Sequence, residues 1–147
     1  MVRFLVATHG TLADGFKSTM SILMGKEIAE KIETINAYCN ENESSPKQLI
    51  ENYIDSVGND QLIIFTDVMF GSVNQFVMPY VNRSNIFVLT GVNFPLMLEV
   101  ISKYSFGEES VEEDYIRSVV AKAREQILFV NDEMQDSQTA NNEEDFF

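Results

Sequence analysis

The sequence predicts an α/β fold: a mainly parallel open sheet with helices on both faces. Three observations lead there. Four short apolar runs alternate with stretches whose apolar residues recur at helical spacing, which makes successive βαβ units. The third run, Leu62–Thr66, is apolar throughout, as a strand covered on both faces must be. The 147 residues suit a single domain with a full core, and no linker divides them.

Taken in order, Arg3–Thr8 is the first strand, an apolar run that ends before a glycine. Leu12, Phe16, Met20, Leu23 and Met24 form a helical face, with Thr11 as its expected N-cap, Asp14 favourable to the dipole and Gly25 as its stop. Ile32–Cys39 is the second strand. Ser45-Pro46-Lys47-Gln48 opens the next helix with a capping serine, a first-position proline and a capping-box glutamine, and Gly58 closes it. After the third strand, Ser72 and Gln75 repeat the capping-box pattern, and Pro79 limits the helix that follows by removing a backbone donor. Asn85–Thr90 is the fourth strand, and a helix starts near Pro95. Ser110 and Glu113 begin a last, longer helix reaching Val130.

Charge and composition exclude several function classes. With 10 basic against 23 acidic side chains the chain carries −13, which opposes binding to nucleic acid or to an anionic membrane surface. Cys39 is the only cysteine and His9 the only histidine, too few soft ligands for a structural zinc, and no intrachain disulfide is possible. No apolar run is long enough to span a bilayer and no signal-peptide pattern opens the chain, so the cytoplasm is the expected compartment. The domain is expected over residues 1–130. Residues 131–147 hold six acidic and no basic groups and read as a flexible tail ending in Phe146-Phe147.

In parallel sheets ligands bind beyond the carboxyl ends of the strands, where strand order reverses. Three polar junctions fall at such ends: His9-Gly10-Thr11, Asp67 to Ser72, and Gly91-Val92-Asn93. In the flavodoxin-like order 2-1-3-4, to which an antiparallel edge strand can be added, the first and third strands are neighbours. His9 and Asp67 then face each other. A histidine after a strand is often a satisfied turn residue, and an aspartate there is often a cap. Together they suggest chemistry: the carboxylate fixes the imidazole tautomer, leaving the other ring nitrogen free as a nucleophile without any metal. Gly71-Ser72 adds a hydroxyl and helix-opening amides suited to a phosphate-sized anion, though a purely structural cap is the competing role. The stretch GTLADGFKS offers a different reading, a nucleotide-binding domain with a phosphate-binding loop using Gly10, Gly15 and Lys17. Phe16 interrupts that pattern and would rotate Lys17 by about 100° around the helix.

The ordered set THG, FTD…GS and GVNFPLMLE resembles the enzyme IIA component of the mannose/fructose/sorbose class of bacterial sugar phosphotransferase systems, over Met1 to Val130. The resemblance implies that His9 takes a phosphoryl group from the phosphocarrier HPr and passes it to enzyme IIB, which phosphorylates the sugar during transport. It implies that Asp67 orients His9, that Ser72 with Gly71 binds the phosphoryl group, and that the protein is a cytoplasmic homodimer needing no metal or cofactor. A regulatory or dihydroxyacetone kinase phosphocarrier would use the same histidine; a non-catalytic interaction domain would not need it. The family stretch reads Asp-x-x-Gly-Gly-Ser/Thr-Pro, whereas Phe70 and Val73 replace its first glycine and its proline here. Phenylalanine reaches glycine's backbone conformations only with strain, so an altered loop or partner surface is expected, with Met69 and Phe70 on an apolar rim.

Overall fold

The computed structural model describes residues 1–42, 44–107 and 109–144. Its chain runs β1 (Val2–His9), α1 (Leu12–Met24), α2 (Lys26–Ala29), β2 (Ile32–Ala37), α3 (Pro46–Val57), β3 (Gln61–Thr66), α4 (Ser72–Val77), a 3₁₀ turn (Met78–Tyr80), β4 (Ile86–Leu89), α5 (Phe94–Ser105), α6 (Glu113–Arg124) and α7 (Val130–Glu144). The strands form one all-parallel sheet in the order β2-β1-β3-β4. Among the described residues no antiparallel edge strand joins it.

Alternation along the two central strands builds a core on each face of the sheet. Phe4 and Val6 of β1 and Ile63 and Phe65 of β3 meet α1, α5 and α6 through Met20, Met97, Ile101 and Val119. Leu5, Ala7, Leu62 and Ile64 point the other way and meet α3 and α4 through Ile50, Ile54, Val73 and Val77. Each large side chain buried this fully contributes about 1.5–3 kcal/mol. Both central strands are therefore apolar on both sides, which is why their runs read as continuous.

Several ends differ from the sequence reading, each for a local reason. Thr11 makes no side-chain cap; Thr8 Oγ1, at the buried end of β1, accepts the Ala13 N–H at 2.8 Å instead. Ser45 caps α3 as expected, accepting from Gln48 N, but the Gln48 amide donates forward to Asn52 Oδ1 and leaves the capping box half made. Strand β2 stops at Ala37 because Tyr38 turns to φ 66°. The short helix α2 is too brief to leave a periodic signature. Gly71, not Ser72, is the N-cap of α4, and Pro79 does end that helix, in a 3₁₀ turn.

The last predicted helix ends early. The Ala123 carbonyl, which would accept from Ile127 in a continuing helix, accepts instead from Asn93 Nδ2 and Gln126 N. Helix α6 therefore stops at Arg124, and Ile127 and Val130 are exposed rather than packed. Ser110 is not its cap; Glu112 occupies that position without a side-chain bond. The segment expected to be a flexible tail is helical as far as Glu144. Asp132 and Glu133 in its first turn complement the helix dipole, and its described side chains are exposed. Phe146 and Phe147 lie outside the described residues.

Candidate active site

The site forms where β1 and β3 end side by side. Ala7 lies opposite Thr66, so His9 closes β1 just as Asp67 leaves β3. Gly10, at φ 58°, turns the chain away and donates to Ala37 O, which separates His9 from the helix that follows. Below the site, buried Thr66 Oγ1 donates to Asn74 Oδ1 at 3.0 Å, and Asn74 Nδ2 reaches Met69 Sδ at 3.7 Å. This fastens the loop from Asp67 to Gly71 onto α4.

His9 and Asp67, 58 positions apart in sequence, meet directly. Asp67 Oδ2 accepts from the His9 backbone N–H and pairs with its ring Nδ1, both at 2.9 Å. Asp67 Oδ1 accepts from Val68 N at 3.0 Å. An ionised carboxylate only accepts, so Nδ1 carries the proton and Nε2 presents its lone pair. Nε2 lies 3.3 Å from Ser72 Oγ. The Asp67 side chain is 9% exposed and the His9 side chain 40%. Burial alone would raise the Asp67 pKa; hydrogen bonds from the His9 N–H and ring, together with attraction to the imidazole, outweigh it and hold the carboxyl below its ordinary value.

Gly71 serves this arrangement by having no side chain. A Cβ there would lie 3.1 Å from His9 Cε1 and 3.2 Å from the Val68 carbonyl. Its neighbour answers the question raised by the sequence. Phe70 adopts φ 64°, the left-handed conformation that glycine takes freely. The loop turns as a glycine would turn it and carries the strain, held in part by Gln75 Nε2 donating to Phe70 O at 2.8 Å. Because Phe70 is 76% exposed, its ring contributes little burial in return. Phe70→Gly should thus raise stability by about 0.5–1 kcal/mol, strain relief exceeding glycine's added unfolded-state freedom. Urea midpoints compared at equal slope check this; an unchanged or lower midpoint would deny the strain.

The remaining residues singled out in the sequence sort cleanly. Ser72 faces His9 instead of capping α4. Gly91-Val92-Asn93 brings no side chain to His9: Asn93 accepts from Leu96 N to cap α5 and donates to Ala123 O. Lys17 Nζ lies 2.8 Å from Ile32 O, at the amino end of β2, and α1 already begins at Leu12. Gly10, Gly15 and Lys17 therefore do not form a phosphate loop. Leu12, Val68, Met69 and Phe70, on the segments that follow β1 and β3, are exposed apolar side chains. Tyr38 was not foreseen. Its ring stacks on His9 at 5.8 Å between centroids, and its hydroxyl lies 2.8 Å from Ser72 Oγ. Among the described residues no group of three or more His, Cys, Asp or Glu is placed to hold a metal, and no helix is long and apolar enough to cross a membrane.

The site therefore sits between the ends of the two central strands of a parallel 2-1-3-4 sheet, with His9 held by Asp67. The family described as the PTS system fructose IIA component matches residues 3–119, and the chain belongs to that family. The fold is similar to a Klebsiella pneumoniae protein described as a candidate phosphoenolpyruvate-dependent sugar phosphotransferase system permease, at 26% identity and TM-score 0.79 over 90% of this chain and 93% of that one. It is also similar to the PTS IIA protein associated with the fucose utilization operon of Streptococcus pneumoniae, at 25% identity and TM-score 0.74 over 90% and 96%. The mannose/sorbose-specific IIA subunit from Enterococcus faecalis shares the fold at 11% identity and TM-score 0.71 over 86% and 92%. The curated proteins hold no detectable relative of this sequence.

Proposed function

We propose that this chain is a cytoplasmic phosphoryl carrier of a sugar phosphotransferase system, working as a homodimer between phospho-HPr and enzyme IIB. The observation that supports this most is the His9–Asp67 pair: Asp67 Oδ2 lies 2.9 Å from Nδ1, where the carboxylate accepts the Nδ1–H and leaves Nε2 outward, beside a hydroxyl. The lone pair on Nε2 forms the new N–P bond as the N–P bond on HPr breaks and its electrons return to the donor imidazole. His9 then holds a proton on Nδ1 and phosphorus on Nε2, a cationic ring that the Asp67 carboxylate stabilises. Ser72 and the amides opening α4 meet the equatorial oxygens, so the protein's work is placement and electrostatics. The reverse motion delivers the group to a histidine of enzyme IIB. A partly exposed ring, with exposed apolar Leu12, Met69 and Phe70 on the segments that follow the same two strands, suits two successive protein partners.

Incubation with enzyme I, HPr and labelled phosphoenolpyruvate should place acid-labile, base-stable phosphate on His9, and added enzyme IIB should remove it. A chain that stays unlabelled in that mixture refutes the carrier reading.

A further inference from the structure

Tyr38 lies outside the groups that attack, orient and bind, yet it touches two of them. It follows the last residue of β2 and holds φ 66°, a conformation that aromatic residues avoid, while 61% exposed. Burial therefore does not explain why the strained turn persists. What the turn achieves is visible at the ring. The phenol stacks on the His9 imidazole at 28° between planes, and its oxygen sits 2.8 Å from Ser72 Oγ.

The direction of donation follows from Asp67. With Nδ1–H given to the carboxylate, Nε2 accepts, so the single Ser72 proton points at Nε2. The Ser72 oxygen is then free to accept from Tyr38 O–H. The three groups line up as donors in one sense, Tyr38 to Ser72 to His9. Without Tyr38 the serine oxygen loses its 2.8 Å partner, and only the longer 3.3 Å contact to Nε2 restrains the hydroxyl.

We infer that Tyr38 is a positioning residue for phosphoryl exchange, acting through Ser72. Its hydroxyl sets the Ser72 proton toward Nε2 and, after transfer, toward the phosphoryl oxygens, while its ring limits rotation of the imidazole. This inference rests on the carrier reading above.

The test uses the full chain with enzyme I, HPr and labelled phosphoenolpyruvate. Wild-type labelling is measured first; its absence sinks the carrier reading itself, before any variant is compared. Tyr38→Phe keeps the ring and removes the hydroxyl, and should slow labelling about tenfold, the loss of one oriented hydrogen bond. In a Ser72→Ala background the same change should cost no more than twofold, because its effect passes through the serine. Tyr38→Gly suits the backbone and should hold or raise thermal stability while labelling no faster than Tyr38→Phe. Nitrogen chemical shifts should show the His9 Nε2 resonance moving in Tyr38→Phe as its hydroxyl donor loosens. Labelling by Tyr38→Phe within twofold of wild type overturns the inference, as does a full tenfold loss that persists without Ser72.

Discussion

His9→Ala should give a folded protein that takes up no phosphate from the enzyme I, HPr and phosphoenolpyruvate mixture. The imidazole is 40% exposed, and its side-chain hydrogen bonds go to Asp67 and Ser72, so no core layer depends on it. Asp67 keeps two donors in the variant, the backbone N–H groups of residues 9 and 68. The stability cost should stay within about 1–2 kcal/mol, while the reaction loses its only imidazole. Circular dichroism and urea unfolding separate the two effects. Retained labelling of the variant would place the phosphate elsewhere.

Asp67→Asn should slow labelling about a hundredfold or more while leaving the backbone unchanged. The amide is nearly the same shape, but it carries no charge to stabilise the ring once phosphorus is attached. Its NH₂ group can also donate to Nδ1 and drive the proton to Nε2, removing the nucleophilic lone pair. The pH dependence of stability carries a second signature. Because the folded-state pKa of Asp67 is depressed, its contribution is complete above the ordinary carboxylate range and is lost as pH falls through the lower folded value. Wild type should therefore lose more stability than Asp67→Asn below about pH 4, and the two should run parallel above it. Parallel urea midpoints across the acid range would deny that His9 stabilises the charged carboxyl.

The strand order and the His9–Asp67 pair were legible because both follow from patterning: four apolar runs separated by helical stretches allow few topologies, and polar residues at strand ends then have few places to be. Ser72 was legible as a candidate beside His9, yet its local role in the helix was not. The Ser-x-x-Gln spacing fits a capping box, but Gly71 caps α4 and the hydroxyl turns to His9. Tyr38 left no signal. A left-handed backbone at an exposed tyrosine is set by what it stacks against, and the stacking partner is 29 positions earlier in the chain. The stop of α6 was hidden for a related reason. Apolar residues continue at helical spacing through Ile127 and Val130, while the carbonyl that breaks the ladder is taken by Asn93, which lies 30 positions away. Phe70 was legible as an oddity; only coordinates show that it turns as glycine does.

The two halves of the site hang from different parts of the fold. His9 and Asp67 extend from strands flanked on each side by hydrogen-bonded neighbours, whereas Tyr38 and Phe70 sit on surface turns. Amide hydrogen exchange should be slow at the former and fast at the latter. If the carrier reading proposed above holds, the turns of the outer wall can adjust slightly to visiting proteins of unequal contour while His9 Nε2 keeps one address.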